Sequence, residues 1–380
     1  MTQSTAFHAH RIFDGSTWHD DAALIVADGL VLDIVHARDA PDAERVEGAL
    51  VPGLVDLQVN GGGGVLFNND ITATGIETIC TAHATFGATA VMVTLITDTA
   101  DNTHAAINAG RDALGASGFL GLHLEGPHLD LARKGTHDLA LIRTMDASDL
   151  AALTAAASAF DHMICTIAPE SVSLDQVMAL ADAGVTVSLG HTGCDAAMAG
   201  EYANAGVSMV THLFNAMGQL QHRAPNLVGA ALDDGRLWAG LIADGFHVSD
   251  AAMRIALRGK AGPASVFLVS DAMSTIGTDL TDFTLNGRQI YRADGRLTLA
   301  DGTLAGADIA LIDAVRYVHQ SLGLPLEVAL NLASLAPAQA MGITDRGHLR
   351  PGARADFFNL TSDVTAAGTW IAGQRIGANV

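Results

Sequence analysis

The chain has 380 residues, 49% of them hydrophobic and 16% charged, with a formal net charge of -21. So apolar a composition excludes a disordered chain and fits a buried parallel sheet covered by helices. The acid excess excludes general nucleic-acid binding, which needs a basic footprint, but admits an anionic small substrate wherever its pocket is locally basic.

Met1 to Thr5 carry no basic segment leading into an apolar one, and no apolar stretch of about 20 residues would span a bilayer. The cysteines, Cys80, Cys165 and Cys194, show no CxxC spacing and read as reduced thiols. A cytoplasmic protein, with no membrane and no nucleic acid among its partners, is the expectation. Residues 5–50 alternate apolar and polar side chains, broken by Asp14-Gly15 and Asp28-Gly29, as short antiparallel strands do.

From Val51 onward the rhythm changes. Eight strand-like runs follow, at 54–60, 89–96, 119–125, 163–168, 185–191, 207–212, 237–243 and 265–271. Ala-rich segments with helical spacing lie between them, among them 75–86, 147–159, 174–183, 195–205 and 251–258. Alternation at this spacing implies βαβ units, and eight units imply closure into a barrel. Segment 280–305 breaks the pattern with the hairpin signals Asn286-Gly287, Asp294-Gly295 and Asp301-Gly302. Residues 348–380 again read as short strands, with turns at Pro351-Gly352 and Ala372-Gly373. The expected fold is α/β: a (β/α)8 TIM-type barrel over 51–345, with a β insertion near 280–305. A small β-sandwich domain is expected from both chain ends, 1–50 and 346–380.

Four of the runs end in Glu125, His191, His212 and Asp271. In a barrel such ends share one rim, which carries the active site. Two imidazoles and a carboxylate suit a divalent metal with a position left open for water. Each residue has a plainer reading as well. Glu125 can pair with Arg133 or Lys134, either histidine can be a hydrogen-bonded structural residue, and Asp271 can cap a helix. Beyond the metal, Asp271 is the candidate general base. Gln58 and Asn60 end the first run, where a His-x-His pair would hold a second metal, so the expected count is one. Asn60-Gly61-Gly62-Gly63-Gly64 reads as a flexible loop or as a weak phosphate cradle. Cys194 reads as a small buried residue rather than a ligand. His8, His10, His19, His36 and His319 read as surface or packing residues.

These residues lie in motifs that resemble the amidohydrolase superfamily and, within it, the family of N-acetylglucosamine-6-phosphate deacetylases. The motifs are Val51-Pro52-Gly53-Leu54-Val55-Asp56, His123-Leu124-Glu125-Gly126-Pro127, Lys134-Gly135-Thr136-His137 and Gly190-His191-Thr192. Further along come His212-Leu213-Phe214-Asn215-Ala216-Met217, Ala243-Asp244-Gly245-Phe246-His247, Ser270-Asp271-Ala272-Met273, Gly302-Thr303-Leu304-Ala305-Gly306 and Pro351-Gly352-Ala353-Arg354-Ala355-Asp356. The resemblance implies Glu125, His191 and His212 as ligands of one divalent metal per subunit, zinc first, with iron or another divalent ion as alternatives. It implies Asp271 as acid/base and His137 as the residue that polarises the acetyl carbonyl, with Gln58 and Asn60 near the metal water. Thr136, Asn215, Ala216, Asp244, His247 and Leu304-Ala305-Gly306 are the implied substrate contacts. Arg223 falls where the family reaches the phosphate of a neighbouring subunit's substrate, which implies a homodimer. The expected reaction is hydrolysis of the N-acetyl amide of an amino-sugar phosphate in amino-sugar catabolism. The alternatives are another N-acetylhexosamine as substrate, a cyclic amide or purine, and a sugar-phosphate sensor without turnover.

Overall fold

The computed structural model describes residues 4–377. Eight parallel strands form its centre: β1 (Leu54–Val59), β2 (Ala88–Ile96), β3 (Phe119–Glu125), β4 (Met163–Ile167), β5 (Thr186–Leu189), β6 (Val207–Val210), β7 (Trp238–Ile242) and β8 (Val266–Val269). They pair in chain order. Helices follow them in turn, at Ala73–Ala84, Ala100–Asp112, Ala147–Ala157, Leu174–Asp182, Ala196–Asn204, Asn226–Asp233, Asp250–Gly259 and Leu311–Gln320. Each strand has the barrel interior on one face and helices on the other, which is why the runs are almost continuously apolar. Six of these helices begin at a residue whose side chain accepts a backbone N–H of the first turn: Thr72, Thr99, Asp146, Ser173, Asp195 and Ser249. Such caps satisfy donors that the helix leaves orphaned, and they hold the rim loops that lead into it.

The barrel closes between β1 and β8 largely beyond the end of β8. Asp271 N donates to Gln58 O at 3.0 Å, and Asn60 N donates to Ala272 O at 2.9 Å. Deeper in this seam, the Asp56 Oδ1 accepts from Ser270 N at 3.2 Å.

The insertion forms a four-stranded antiparallel sheet, β9 (Asp282–Leu285), β10 (Arg288–Ala293), β11 (Arg296–Thr298) and β12 (Leu304–Ala307). Asn286-Gly287 and Asp294-Gly295 make its tight turns with φ of +47°, +73°, +51° and +72°, the paired positive values such turns need. Leu285, Ile290, Leu297 and Ala305 pack with Leu66, Ile96 and Met273, which seats this sheet on the mouth of the barrel beside the end of β2.

The chain ends meet in a further sheet. Its strand Ala49–Pro52 pairs in parallel with Thr5–Phe13 and antiparallel with Phe357–Leu360. Where a sandwich suggests two sheets, the strands here form one continuous sheet. It folds over its own core: Ala355 N donates to Gly29 O at 2.8 Å, and the rings of Phe7, Phe357 and Trp370 pack with centroids 5.0 to 5.7 Å apart. Among the described residues no helix is long and apolar enough to cross a membrane.

Candidate active site

Glu125 is the last residue of β3, whereas His191, His212 and Asp271 lie two residues past the ends of β5, β6 and β8. The last three have positive φ, +49°, +27° and +51°. The backbone turns there out of the extended region instead of continuing the expected strand. His and Asp tolerate that conformation better than branched residues do, and it gathers all four side chains at the C-terminal mouth. They are almost completely removed from water, Glu125 at 3%, His191 at 4%, His212 at 5% and Asp271 at 8% exposure.

The donor atoms converge. His212 Nε2 lies 3.0 Å from Glu125 Oε1, His191 Nε2 lies 3.4 Å from the same oxygen, and the two Nε2 atoms are 3.1 Å apart. Donors about 2.0–2.1 Å from a tetrahedral zinc ion are about 3.3 Å from one another, so the triad has the dimensions of a divalent-metal site. His191 Nδ1 lies 2.9 Å from the Arg133 carbonyl, an acceptor. That contact fixes the ring so that Nε2 faces the other two donors, as a ligand nitrogen must. The ion pair of Glu125 with Arg133 or Lys134 does not form, since Glu125 is ringed by imidazoles and by Gln58. Burial opposes the Glu125 charge, but the hydrogen bonds from His191 and His212 outweigh it and hold the carboxyl well below the usual range.

Asp271 is no helix cap. Its Oδ1 accepts from Gln58 Nε2 at 3.1 Å and from Asn60 Nδ2 at 2.8 Å, and Gln58 also donates to Glu125 Oε1 at 3.2 Å. The amides of β1 thus brace the candidate base and tie it to the triad. Burial, with the charge of Glu125, pushes the Asp271 carboxyl up to about 6.

His137 stands over the triad, its ring 4.3 Å from that of His191. Its Nδ1 is 2.6 Å from Thr97 Oγ1. Burial, reinforced by the charge of His191, drives its pKa well down. A cavity of about 230 Å³ opens onto these groups, and its wall includes Asn60, Thr136, Asn215, Ala216, His247 and Leu304. The Thr136 hydroxyl is buried without a partner, as a group awaiting a ligand would be. His247 Nδ1 lies 2.6 Å from Asp244 Oδ2, so Nε2 is the nitrogen left for a ligand. Asp244 itself is not on the cavity wall. It holds His247, and its Oδ1 accepts the N–H groups of Phe246 and His247 at 2.8 Å each.

Two further expectations part company with the geometry. Ala305 faces the core of the insertion sheet, while Leu304 and Gly306 on either side of it line the cavity. The glycine run is neither cradle nor flexible loop. Gly61 and Gly62 pair with Leu66 and Val65, and the N–H groups of Gly61, Gly63 and Gly64 bond to Ala272 O, Ile276 O and Ser274 O. Arg223 is exposed on the 218–226 loop and is not on the cavity wall. Cys194 is buried and outside the triad, its thiol pushed up to about 11 by burial. Thr97 was not anticipated, although its position just past an apolar strand end was the same signal that marked Glu125.

The sequence profile of the amidohydrolase family matches residues 49–376. The N-acetylgalactosamine-6-phosphate deacetylase of Shewanella sp. (strain ANA-3) is 34% identical over 365 residues, 94% of this chain and 92% of the relative. The N-acetylglucosamine-6-phosphate deacetylase of Homo sapiens is 36% identical over 342 residues, 86% of this chain and 83% of the relative. Among solved structures, the N-acetylglucosamine-6-phosphate deacetylase from Pasteurella multocida superposes with a TM-score of 0.93 at 30% identity, covering 98% of this chain and 99% of that one. A mutant of the Mycobacterium smegmatis N-acetyl-D-glucosamine-6-phosphate deacetylase, in complex with N-acetyl-D-glucosamine-6-phosphate, superposes with a TM-score of 0.91 at 28% identity and the same coverage.

Proposed function

We propose, from the premise that this chain belongs to the amidohydrolase family, that it hydrolyses the N-acetyl amide of N-acetyl-D-glucosamine 6-phosphate to D-glucosamine 6-phosphate and acetate. The observation that carries this reading is Asp271, braced by two amides at 2.8 and 3.1 Å beside the Glu125, His191 and His212 triad. An ion-binding sensor needs a triad but no braced proton acceptor.

Glu125, His191 and His212 would hold one divalent ion, zinc first by donor set, although the same donors accept iron and others. A bound ion supplies an activated water and polarises the acyl oxygen. Asp271 takes a proton from the attacking water and returns it to the nitrogen, so that an amine leaves rather than its anion. Burial raises this carboxyl and a bound cation would lower it, two opposed effects that suit a group which must both take up and release a proton. Thr97 Oγ1, which donates to Glu125 O at 3.2 Å and lies 2.6 Å from His137 Nδ1, would fix the imidazole beside the acetyl oxygen as that oxygen gains charge. Thr136, Asn215, the backbone of Ala216 and His247 Nε2 would hold the sugar and its phosphate.

Arg223, exposed and outside this cavity, would complete the phosphate site of the partner in a homodimer. Arg223→Ala should raise KM for the phosphorylated sugar by about tenfold or more and leave the unphosphorylated one unchanged, as initial rates on both would reveal. A cytoplasmic role in amino-sugar catabolism accords with the substrate.

The resemblance to the Shewanella enzyme favours a second reading, with N-acetyl-D-galactosamine 6-phosphate as substrate. Acetate release across gluco and galacto sugars, each with and without phosphate, separates the two. No release from any member would overturn both.

A further inference from the structure

The barrel interior carries a layer of polar side chains that the proposed chemistry leaves unused. His123, on β3, has Nδ1 3.2 Å from Thr94 Oγ1 and Nε2 2.8 Å from Thr166 Oγ1. The contacts continue from Thr166 Oγ1 to Thr211 Oγ1 at 2.7 Å, and from there to Ser188 Oγ at 2.6 Å. All five side chains are buried. Thr94 and Thr166 stand two residues past Met92 and Ile164, which pack in an apolar cluster beneath them. Glu125 stands two residues past His123 on the same face of β3. The layer therefore lies between the apolar floor of the barrel and the rim that carries the triad.

Thr211 is its junction. Its hydroxyl meets Thr166 of β4 and Ser188 of β5, and its N–H donates to Leu189 O at 2.9 Å. Gly190, just before His191, makes room for this meeting. A Cβ there would stand 2.7 Å from Thr166 Cγ2 and 3.0 Å from Thr211 Cβ.

The two histidines of the triad are held differently. His191 is fixed through Nδ1, 2.9 Å from Arg133 O. His212 Nδ1 has no hydrogen-bond partner among the described residues, whereas a ligating imidazole generally bonds through its other nitrogen. His212 also lies past the end of β6, with φ of +27°. The place of its ring is then set by the backbone that enters residue 212. Thr211 is where the hydroxyl layer grips that backbone.

We infer that Thr211 is a positioning residue for the metal site. Its hydroxyl, bonded toward β4 and β5, fixes the backbone from which His212 reaches Glu125 and His191. The inference rests on the triad as a divalent-metal site, which is part of the reading above, and not on the identity of the substrate.

The test compares Thr211→Val, which keeps the volume and removes the hydroxyl, with Thr211→Ser, which keeps the hydroxyl and removes the methyl. Zinc dissociation constants are measured on the metal-stripped proteins by competition with a chelator, alongside their melting temperatures. Thr211→Val should weaken zinc binding by about tenfold or more, and Thr211→Ser should stay within about threefold of the parent. A hydroxyl that only supported the fold would lower the melting temperature and leave the zinc constant unmoved. A constant for Thr211→Val within about twofold of the parent overturns the role, and so does a serine variant as weak as the valine one. Should Thr211→Val not fold, Ser188→Ala removes one of the two bonds. Zinc binding loosened by about threefold then supports the role, and an unchanged constant overturns it. If the parent binds zinc but releases no acetate from any sugar, the deacetylase reading falls and the role of Thr211 stands. If the parent binds no zinc, the role falls whatever the acetate assay gives.

Discussion

Two carboxylates on the closing pair of strands are both buried, and they behave differently. At the rim, Asp271 receives two side-chain amides on one oxygen. In the seam below, Asp56 Oδ1 receives the backbone N–H groups of Ser270 and Gln58, at 3.2 and 3.3 Å, and its Oδ2 has no partner. Burial pushes Asp56 up to about 7 and Asp271 up to about 6. Glu125 is equally buried, yet two imidazoles hold it well below the usual range. Burial is thus nearly constant along this wall, and the kind of partner decides its effect: imidazoles keep Glu125 charged, whereas amides and backbone N–H groups leave both Asp271 and Asp56 raised.

The largest effect expected from that contrast is at the rim. Asp271→Asn keeps the shape and the triad but removes the proton acceptor, so metal content should hold while kcat falls about a thousandfold. Near-normal turnover in that variant would erase the distinction between rim and seam. A smaller effect sharpens it. Asn60→Leu deletes the shorter of the two bonds to Asp271, which favours the charged form, so the acid limb of kcat/KM should move upward in pH. The parent should gain activity as pH rises through a value at or below about 6, since a bound cation lowers Asp271 from there. The variant should lose more activity at pH 6 than at pH 8, by about tenfold in relative terms. A pH profile unchanged from the parent's would mean that the amides only hold Asp271 in place.

Much of this was legible in the chain, for definite reasons. Barrel strands covered on both faces are long apolar runs, so the polar residues that close them stand out, and Glu125, His191, His212 and Asp271 were found that way. Asn286-Gly287 and Asp294-Gly295 announced their turns because few other pairs accept positive φ twice in succession. What escaped depends on contacts between distant positions. Thr97 meets His137 across 40 residues and Asn286 across 189, and no local pattern encodes such meetings. The unpartnered Oδ2 of Asp56 is likewise a property of everything around it. Ala305 is different, because the two-residue period of a strand already opposes it to Leu304 and Gly306.

The smallest effect, on stability rather than turnover, tests the seam. The Asp56 carboxyl rises in the folded state from an ordinary 3.8 to about 7, because burial disfavours its charge. A group raised in this way contributes fully below its unfolded pKa, and the contribution is lost as pH climbs through the folded one. Between about pH 4 and pH 7 the parent should therefore lose up to about 4 kcal/mol from this residue, at 1.36 kcal/mol per unit. Asp56→Asn keeps an oxygen for Ser270 N and Gln58 N and puts an uncharged amide where Oδ2 has no partner. Melting temperatures of the two proteins should be close at pH 4 and diverge toward pH 7, with the asparagine variant the higher. Their kcat values should stay within about twofold, because Asp56 touches no reacting group. Parallel melting curves across that range would mean that Asp56 is charged in the fold, and burial without strong partners would then not be what separates the seam from the rim.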